Sequence, residues 1–337
     1  MAMESRVLGG SGIRVSAMGF GCWAIGGPFW QGSQPLGWGE VDDEESVRAL
    51  RRALEVGVNF FDTADVYGTG HSERVLGRAL AEAGARDDAV IATKFGNVFD
   101  EATRQLTGSD ATPAHIRQAC EASLRRLGTD RIDLYQLHLG DLDLAAAEAT
   151  FDTLEELADR GHIRAYGWST DDPERARLLA GRPHFAAVQH DMNVLLDAPE
   201  VLAACDQLGV ASVNRGPLAM GLLSGKYQAD SRLPTDDVRG KEPEWMRYFQ
   251  GGRPSPEWLA RLDAVREVLT SAGRTLAQGA LAWIWARSDR TIPIPGVRTV
   301  GQVEENAGAL AFGPLAPSQL AEIDTLLGRA TASAVQP

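Results

Sequence analysis

Short apolar runs alternate with longer stretches in which apolar residues recur at helical spacing, from about residue 17 to about residue 310. This alternation is the signature of an α/β fold built on a parallel sheet. The runs fall at 17–21 (AMGFG), 58–62 (VNFFD), 89–94 (AVIATK), 132–138 (IDLYQLH), 163–168 (IRAYGW), 186–190 (AAVQH), 210–214 (VASVN) and 291–295 (TIPIP). Helical periodicity covers 43–56, 73–82, 112–127, 145–160, 173–180 and 198–208, and both 256–272 and 275–287 precede the last run. Thr112 before Pro113 suits an N-cap followed by a first-turn proline, and Gly128, Gly161 and Gly209 each stand just past a helix. Eight strand–helix repeats predict a closed (β/α)₈ (TIM) barrel, with a doubly wound open sheet as the competing fold. The 337 residues exceed the usual barrel length of about 250 and leave room for decorations. These are a hairpin over 7–16 suited to plugging the amino-terminal end, a segment over 228–257 carrying Trp245, Tyr248 and Phe249, and helices over 300–310 and 317–327. No Ser-rich or Pro-rich linker divides the chain, so one domain over 1–337 is expected.

Composition narrows the partners. Against 46 Asp and Glu there are 33 Lys and Arg, a net charge of −13, so no general field draws the phosphates of nucleic acid or an anionic membrane. An anionic ligand must be held by a local site. The first residues lack the basic and apolar regions of a secretory signal, and no run of about 18 apolar residues occurs. Cys22, Cys120 and Cys205 are far apart and in no CxxC spacing, which argues against disulfides or a thiolate metal site and for a reducing cytoplasm. The six histidines form no HExxH, and no metal is expected.

In a barrel the chemistry sits at the carboxyl ends of the strands. Here those ends carry Asp62, Lys94, His138, Ser169, Gln189, Arg215 and Gly296, while the strand interiors stay apolar. A buried Asp beside a buried Lys is costly unless the two are paired or used. Tyr67 follows Asp62 by five residues in FFDTADVYG, a spacing that lets the loop return a phenol to the same mouth. A free phenol has a pKa of about 10 and is a poor acid or base near neutrality unless a cation favours its phenolate. Lys94 would be that cation, Asp62 would hold the ammonium, and His138 could orient a carbonyl oxygen or share its proton. The set suits hydride delivery to a carbonyl carbon, with Tyr67 protonating the oxygen.

FFDTADVYGTGHSERVLGRAL, IATKFG, IDLYQLH, GHIRAYGWS, GPLAMGLLSGKY and IPIPGVRTVGQVEEN together resemble the aldo-keto reductases, over about residues 6–327. Within that family the sequence looks most like the bacterial branch with a WAIGGP segment and the β subunits of voltage-gated potassium channels. The resemblance implies a barrel that binds NADP(H), or less often NAD(H), without metal, and carbonyl reduction (EC 1.1.1.-) with Asp62, Tyr67, Lys94 and His138 as the catalytic four. Cys22 and Trp23 match the segment near the nicotinamide. Ser169, Thr170, Gln189 and Asp62 fall at its carboxamide end. Arg215 stands where many relatives stack an aromatic ring, and Thr170 where many have Asn. Gly216, Pro217, Leu218, Gly221 and Lys226 match the pyrophosphate loop. Gly296, Arg298, Gln302, Glu305 and Asn306 match the adenosine end, where a helix start favours anions and Arg298 offers a fork for a 2′-phosphate. Trp23, Trp30, Tyr67 and His138 are the substrate-side candidates. An aromatic wall with few polar groups suits aldehydes, ketones or the faces of sugars.

Other signals read differently. Gly19 to Ala24 fits a relaxed GxGxxA fingerprint, but the glycines and prolines of 25–39 leave no helix to complete a Rossmann site. Gly68, Gly70 and His71 read as turn residues before a helix opened by Ser72 and Glu73, and Trp283 and Trp285 as packing. Three further functions stay open: an NAD-linked sugar or polyol dehydrogenase with Glu305 on a ribose hydroxyl, a nucleotide-sensing regulatory subunit, and a lyase or isomerase forming a Schiff base on Lys94. The oligomeric state is not legible.

Overall fold

A strand buried on both faces reads as a continuous apolar run, and eight such runs become the staves of the barrel. The computed structural model describes residues 4–241 and 243–329. The staves are β1 (Gly19–Gly21), β2 (Phe60–Asp62), β3 (Val90–Phe95), β4 (Ile132–Leu137), β5 (Ile163–Ser169), β6 (Phe185–Asp191), β7 (Ala211–Arg215) and β8 (Thr291–Pro293). Each pairs in parallel with the next in chain order. A parallel bridge between Gly21 and Gly296 joins the first stave to the last, and Gly21 N donates to Pro295 O at 2.9 Å. The sheet is therefore nearly closed, which sets aside the doubly wound alternative. A Cβ on Gly21 would lie 2.7 Å from the Ile294 carbonyl oxygen, so only glycine lets this seam shut.

The helices are α1 (Asp43–Glu55), α2 (His71–Ala83), α3 (Pro113–Leu127), α4 (Leu144–Asp159), α5 (Pro173–Arg177), α6 (Pro199–Leu208), α7 (Pro256–Leu269), α8 (Leu276–Trp285), α9 (Val300–Gly308) and α10 (Pro317–Leu326). Thr112 caps α3 by accepting from His115 N, and Gly128 closes it at φ 64°. The start of α2 departs from the sequence reading. Its N-cap is Gly70, at φ 90°, and Ser72 turns inward to donate to Cys22 O at 2.9 Å. Glu73 is also buried, accepting from Thr93 and Arg126, so neither residue is spent on the helix end. No α-helix follows the GxGxxA segment: a 3₁₀ turn over Cys22–Ile25 leads into loop and two short strands, Trp30–Gln31 and Gln34–Pro35, before α1. Trp283 and Trp285 are buried, the latter donating from Nε1 to Ala17 O at 2.9 Å.

The amino-terminal hairpin pairs Ser5–Val7 with Arg14–Ser16. Its Leu8, Ile13 and Val15 join Phe60, Leu134, Val213 and Ile292 in one apolar cluster that fills the bottom of the barrel. A four-stranded sheet of Trp30–Gln31, Gln34–Pro35, Asn97–Asp100 and Gln105–Ser109 was not anticipated, because these polar, glycine-bearing pieces carry no strand periodicity. Within 228–257 a short hairpin joins Phe249–Gln250 to Arg253–Pro254. Glu242 of that segment, and residues 1–3 and 330–337 of the expected domain, lie outside the described residues. No described helix is long and apolar enough to cross a membrane.

Candidate active site

Alternation along β3 and β4 points Lys94 and Gln136, register partners, into the barrel beside Asp62 at the end of β2. Lys94 Nζ donates to Asp62 Oδ1 at 2.5 Å and to Thr63 O at 2.8 Å, and lies 3.4 Å from Tyr67 Oη. The other Asp62 oxygen accepts from Gln189 Nε2 at 2.7 Å and from Gln136 Nε2 at 3.1 Å. Both charges of the buried pair are thus hydrogen-bonded, the condition under which such a pair persists. Gln136 escaped the sequence reading, although a polar residue two positions before His138 in an apolar strand shares its inward parity.

Tyr67 returns over this floor because its loop folds tightly: Gly68, at φ 59°, brings its backbone so close that a Cβ would meet Gly26 O at 1.7 Å. The Tyr67 ring stacks 5.9 Å from Trp23 and meets the His138 ring edge-on at 5.8 Å. Asn97 Nδ2 lies 3.3 Å from His138 Nδ1. An amide N–H donating there assigns the ring proton to Nε2, leaving a donor for a substrate oxygen. Asn97 was also missed, since its role depends on the unexpected outer sheet.

Burial pushes the Tyr67 phenol above its ordinary pKa, outweighing the downward pull of Lys94. The sequence argument weighed only the ammonium, so this is a correction: in the open cleft the phenol keeps its proton. Burial would lower the Lys94 ammonium, but the Asp62 and Tyr67 charges and hydrogen bonds outweigh it and leave it raised. A raised, tethered ammonium does not suit Schiff-base formation, which needs a neutral amine. Burial, then the charges of Lys94 and Arg215, depress His138 well below its usual value, so its imidazole is neutral.

Above this floor runs a cavity of about 1180 Å³. Asp62, Tyr67, His138, Trp23, Ser169, Thr170, Gln189, Arg215, Gly216, Pro217, Leu218, Gly221, Lys226, Gly296, Arg298, Gln302, Glu305 and Asn306 all line it. Three candidates do not: Lys94 is fully buried in the floor beneath the cavity, and two others stand apart from it. Cys22 is fully buried, its Sγ turned towards Phe20 O, and Trp30 sits in the outer sheet away from the lining. Of the insertion aromatics, Trp245 and Tyr248 reach the cavity, whereas Phe249 is packed inside. Trp38 and Trp245 join Trp23 in an aromatic wall, at 5.3 and 6.1 Å.

Several lining groups already have partners. The Thr170 hydroxyl donates to Gly140 O at 2.8 Å. The Arg215 guanidinium pairs with Asp171 and lies 3.9 Å from Asp191. Arg298 donates to Trp38 O at 3.1 Å and to Glu40 O, so only part of its fork is left for a phosphate. The stretch Ala219, Met220 and Gly221 holds φ values of 49°, 55° and 90°, a left-handed run that two non-glycine residues adopt only under constraint. No group of three or more metal-ligating side chains occurs among the described residues.

Known proteins resemble this chain in sequence and fold. The model of the aldo/keto reductase family matches residues 17–327. Aldo-keto reductase YhdN of Bacillus subtilis is 33% identical over 308 residues, covering 90% of this chain and 87% of that protein. The aldo-keto reductase yakc [NADP(+)] of Schizosaccharomyces pombe is 30% identical, covering 92% of this chain and 87% of that one. A glycerol dehydrogenase from Gluconobacter oxydans superposes with a TM-score of 0.79 at 30% identity, covering 100% of this chain and 99% of that one. An aldo/keto reductase from Klebsiella pneumoniae, solved with NADP and acetate, superposes at 0.71 with 27% identity, covering 98% and 97%. This chain belongs to the aldo/keto reductase family and is an enzyme of that family.

Proposed function

We propose that the protein is an NADP(H)-linked reductase of aldehydes, ketones or sugar-like carbonyls, acting as one unit over its whole length, with Tyr67 as general acid. The observation that carries this reading is the single contact set at the barrel mouth, in which Lys94 Nζ is bound to Asp62 Oδ1 at 2.5 Å and lies 3.4 Å from Tyr67 Oη. A reduced nicotinamide bound along the cleft supplies the hydride. The chain supplies the rest. His138 Nε2–H and the Tyr67 hydroxyl converge on the carbonyl oxygen, and the phenol gives up its proton as negative charge develops there. Lys94 stabilises the resulting phenolate and Asp62 keeps the ammonium in place. Trp23, Trp38 and Trp245 exclude water and pack on the substrate.

The lining fits a dinucleotide. Ser169 and Gln189 lie beside the catalytic floor for a carboxamide, the 216–221 loop and Lys226 suit a pyrophosphate, and Arg298, Gln302, Glu305 and Asn306 suit the adenosine end. The relatives that carry NADP in their names or complexes, together with the Arg298 donors not spent on Trp38 and Glu40, favour the phosphorylated nucleotide. A titration of NADPH against NADH, followed by a carbonyl and sugar panel, tests the assignment. Tyr67→Phe should nearly abolish turnover and leave nucleotide binding intact. Equal loss of both would make Tyr67 structural, and binding of NADH as tight as NADPH would remove Arg298 from the phosphate site. The glycerol dehydrogenase likeness favours one second reading, polyol oxidation through the same residues with Tyr67 as base. Polyols in the panel decide it.

A further inference from the structure

The segment over 228–257 contains a charge pair that surface chain does not need. Arg239 is 6% exposed and Asp237 5%. The Arg239 guanidinium grips Asp237 bidentately along one edge, Nε to Oδ1 at 2.8 Å and Nη2 to Oδ2 at 2.6 Å. A buried ion pair two residues apart could close on itself, but this one reaches outward in two directions.

Towards the nucleotide side, Arg239 Nη1 donates to Met220 O at 3.0 Å and to Tyr227 Oη at 2.8 Å. Met220 sits in the middle of the left-handed run Ala219, Met220 and Gly221, at φ 49°, 55° and 90°. Such a run in non-glycine residues relaxes unless the surroundings hold it. Towards the substrate side, the guanidinium plane lies 4.3 Å from the Trp38 ring centroid. Trp38 is further tied to the segment by an antiparallel bridge to Asp237, with Val238 N donating to Gly37 O at 2.8 Å. The Trp38 ring abuts Trp23, which stacks on Tyr67. Met220, Gly221, Trp38 and Arg239 all line the same cavity above the Asp62–Lys94 floor.

We propose that Arg239 is a positioning residue that fastens the left-handed 219–221 turn on the nucleotide side of the cleft to Trp38 on the substrate side, so that seating the dinucleotide and shaping the carbonyl pocket are energetically coupled. The inference rests on the function proposed above. Arg rather than Lys is required, because a flat fork can bind a carboxylate edge-on while its face lies on an indole. Loss of the fork frees the turn and the tryptophan together.

The test measures three quantities on full-length Arg239→Met and Arg239→Lys: the NADPH dissociation constant from tryptophan fluorescence, KM and kcat for a simple aldehyde at saturating NADPH, and the thermal midpoint. Both variants should weaken NADPH binding and, with the nucleotide saturating, raise KM by about tenfold, as expected of a coupled pair of sites, with little change in kcat. Adding Trp38→Leu to Arg239→Met should raise KM by less than the product of the two single effects. Tyr227→Phe, which removes one acceptor and keeps the packing, should move both constants the same way by less. A lowered midpoint with neither constant moved, a change in one constant only, or full recovery by Arg239→Lys overturns the proposal. Should the Arg239 variants fail to fold, unchanged constants in Tyr227→Phe overturn it. A wild-type protein that neither binds NADPH nor reduces aldehydes overturns the function itself, whereas an active wild type with unmoved variants overturns this inference alone.

Discussion

Replacing Lys94 by Met removes the cation hydrogen-bonded to the Tyr67 hydroxyl and leaves a side chain of similar length in the barrel floor. In the wild type, Nζ and Oη are 3.4 Å apart. Unit charges at that separation interact by about 5 kcal/mol at an effective dielectric constant of about 20, equivalent to at most three to four pH units in the phenol's titration. Asp62, 2.5 Å from the same ammonium, cancels part of this. The acid limb of kcat/KM for alcohol oxidation, where Tyr67 must be a phenolate, should therefore move up by about one to three pH units in Lys94→Met. Aldehyde reduction at neutral pH should fall about 10²- to 10⁴-fold, since the phenolate left behind is no longer stabilised. Both are read from nicotinamide absorbance across a pH series, with Tyr67→Phe as the floor. An acid limb that stays in place in a folded variant would refute the electrostatic role of Lys94, whatever happened to the absolute rate.

Because burial and two cations hold His138 neutral, His138→Leu should lower kcat/KM for reduction about 10²- to 10³-fold without removing a pH inflection; an inflection near 6.5 that vanishes in the variant would contradict this. Burial also depresses His190 from 6.5 to about 4. The unfolded chain then binds the extra proton first, so this contribution is complete above about pH 6.5 and disappears as pH falls towards 4, a loss of up to about 3 kcal/mol. Urea unfolding at several pH values should show a shallower acid loss in His190→Gln than in wild type, and identical slopes would count against it. At the far end of the barrel, Leu8→Ala opens a hole in the plug and should cost about 2 to 5 kcal/mol of stability with unchanged kcat/KM. Lost activity at undiminished stability would show that the hairpin reaches the site.

The eight staves were legible because parallel strands buried on both faces must be apolar along their length, and the polar residue that ends most of the runs then stands out. Asp62, Lys94 and His138 came from that rule alone, and the spacing to Tyr67 from loop length. What stayed hidden depends on partners distant in sequence. Gln136 looks like one more polar residue until Asp62, 74 positions earlier, is seen to take it as a third donor beside Lys94 and Gln189. Asn97 matters only because the outer sheet carries it to His138, and Arg239 only because the segment around it folds back over Met220 and Trp38. Cys22 erred the other way: its neighbours Gly21 and Trp23 line the cleft, but the 3₁₀ turn aims its side chain into the core. Motif position fixed the backbone there and not the direction of the thiol.

The same distinction bears on Tyr67, the proposed acid. Read from the sequence, Lys94 should lower the phenol's pKa, and the ammonium is indeed in place to do so. The net direction is nonetheless upward, because the walls that bury Tyr67 penalise its anion more than Lys94 favours it. A general acid for reduction benefits from both influences. Burial keeps the proton on the phenol while a carbonyl is awaited, and the ammonium lowers the cost of releasing it once charge develops on the substrate oxygen. Burial is contributed by Trp23 and its aromatic neighbours, and charge by the floor, so the two should be separable. Opening the wall with Trp23→Ala should lower the phenol's pKa while leaving its ammonium partner untouched, the opposite sign to Lys94→Met. Variants shifting in the same direction would mean that the wall acts on Tyr67 through the ammonium and not through exclusion of water.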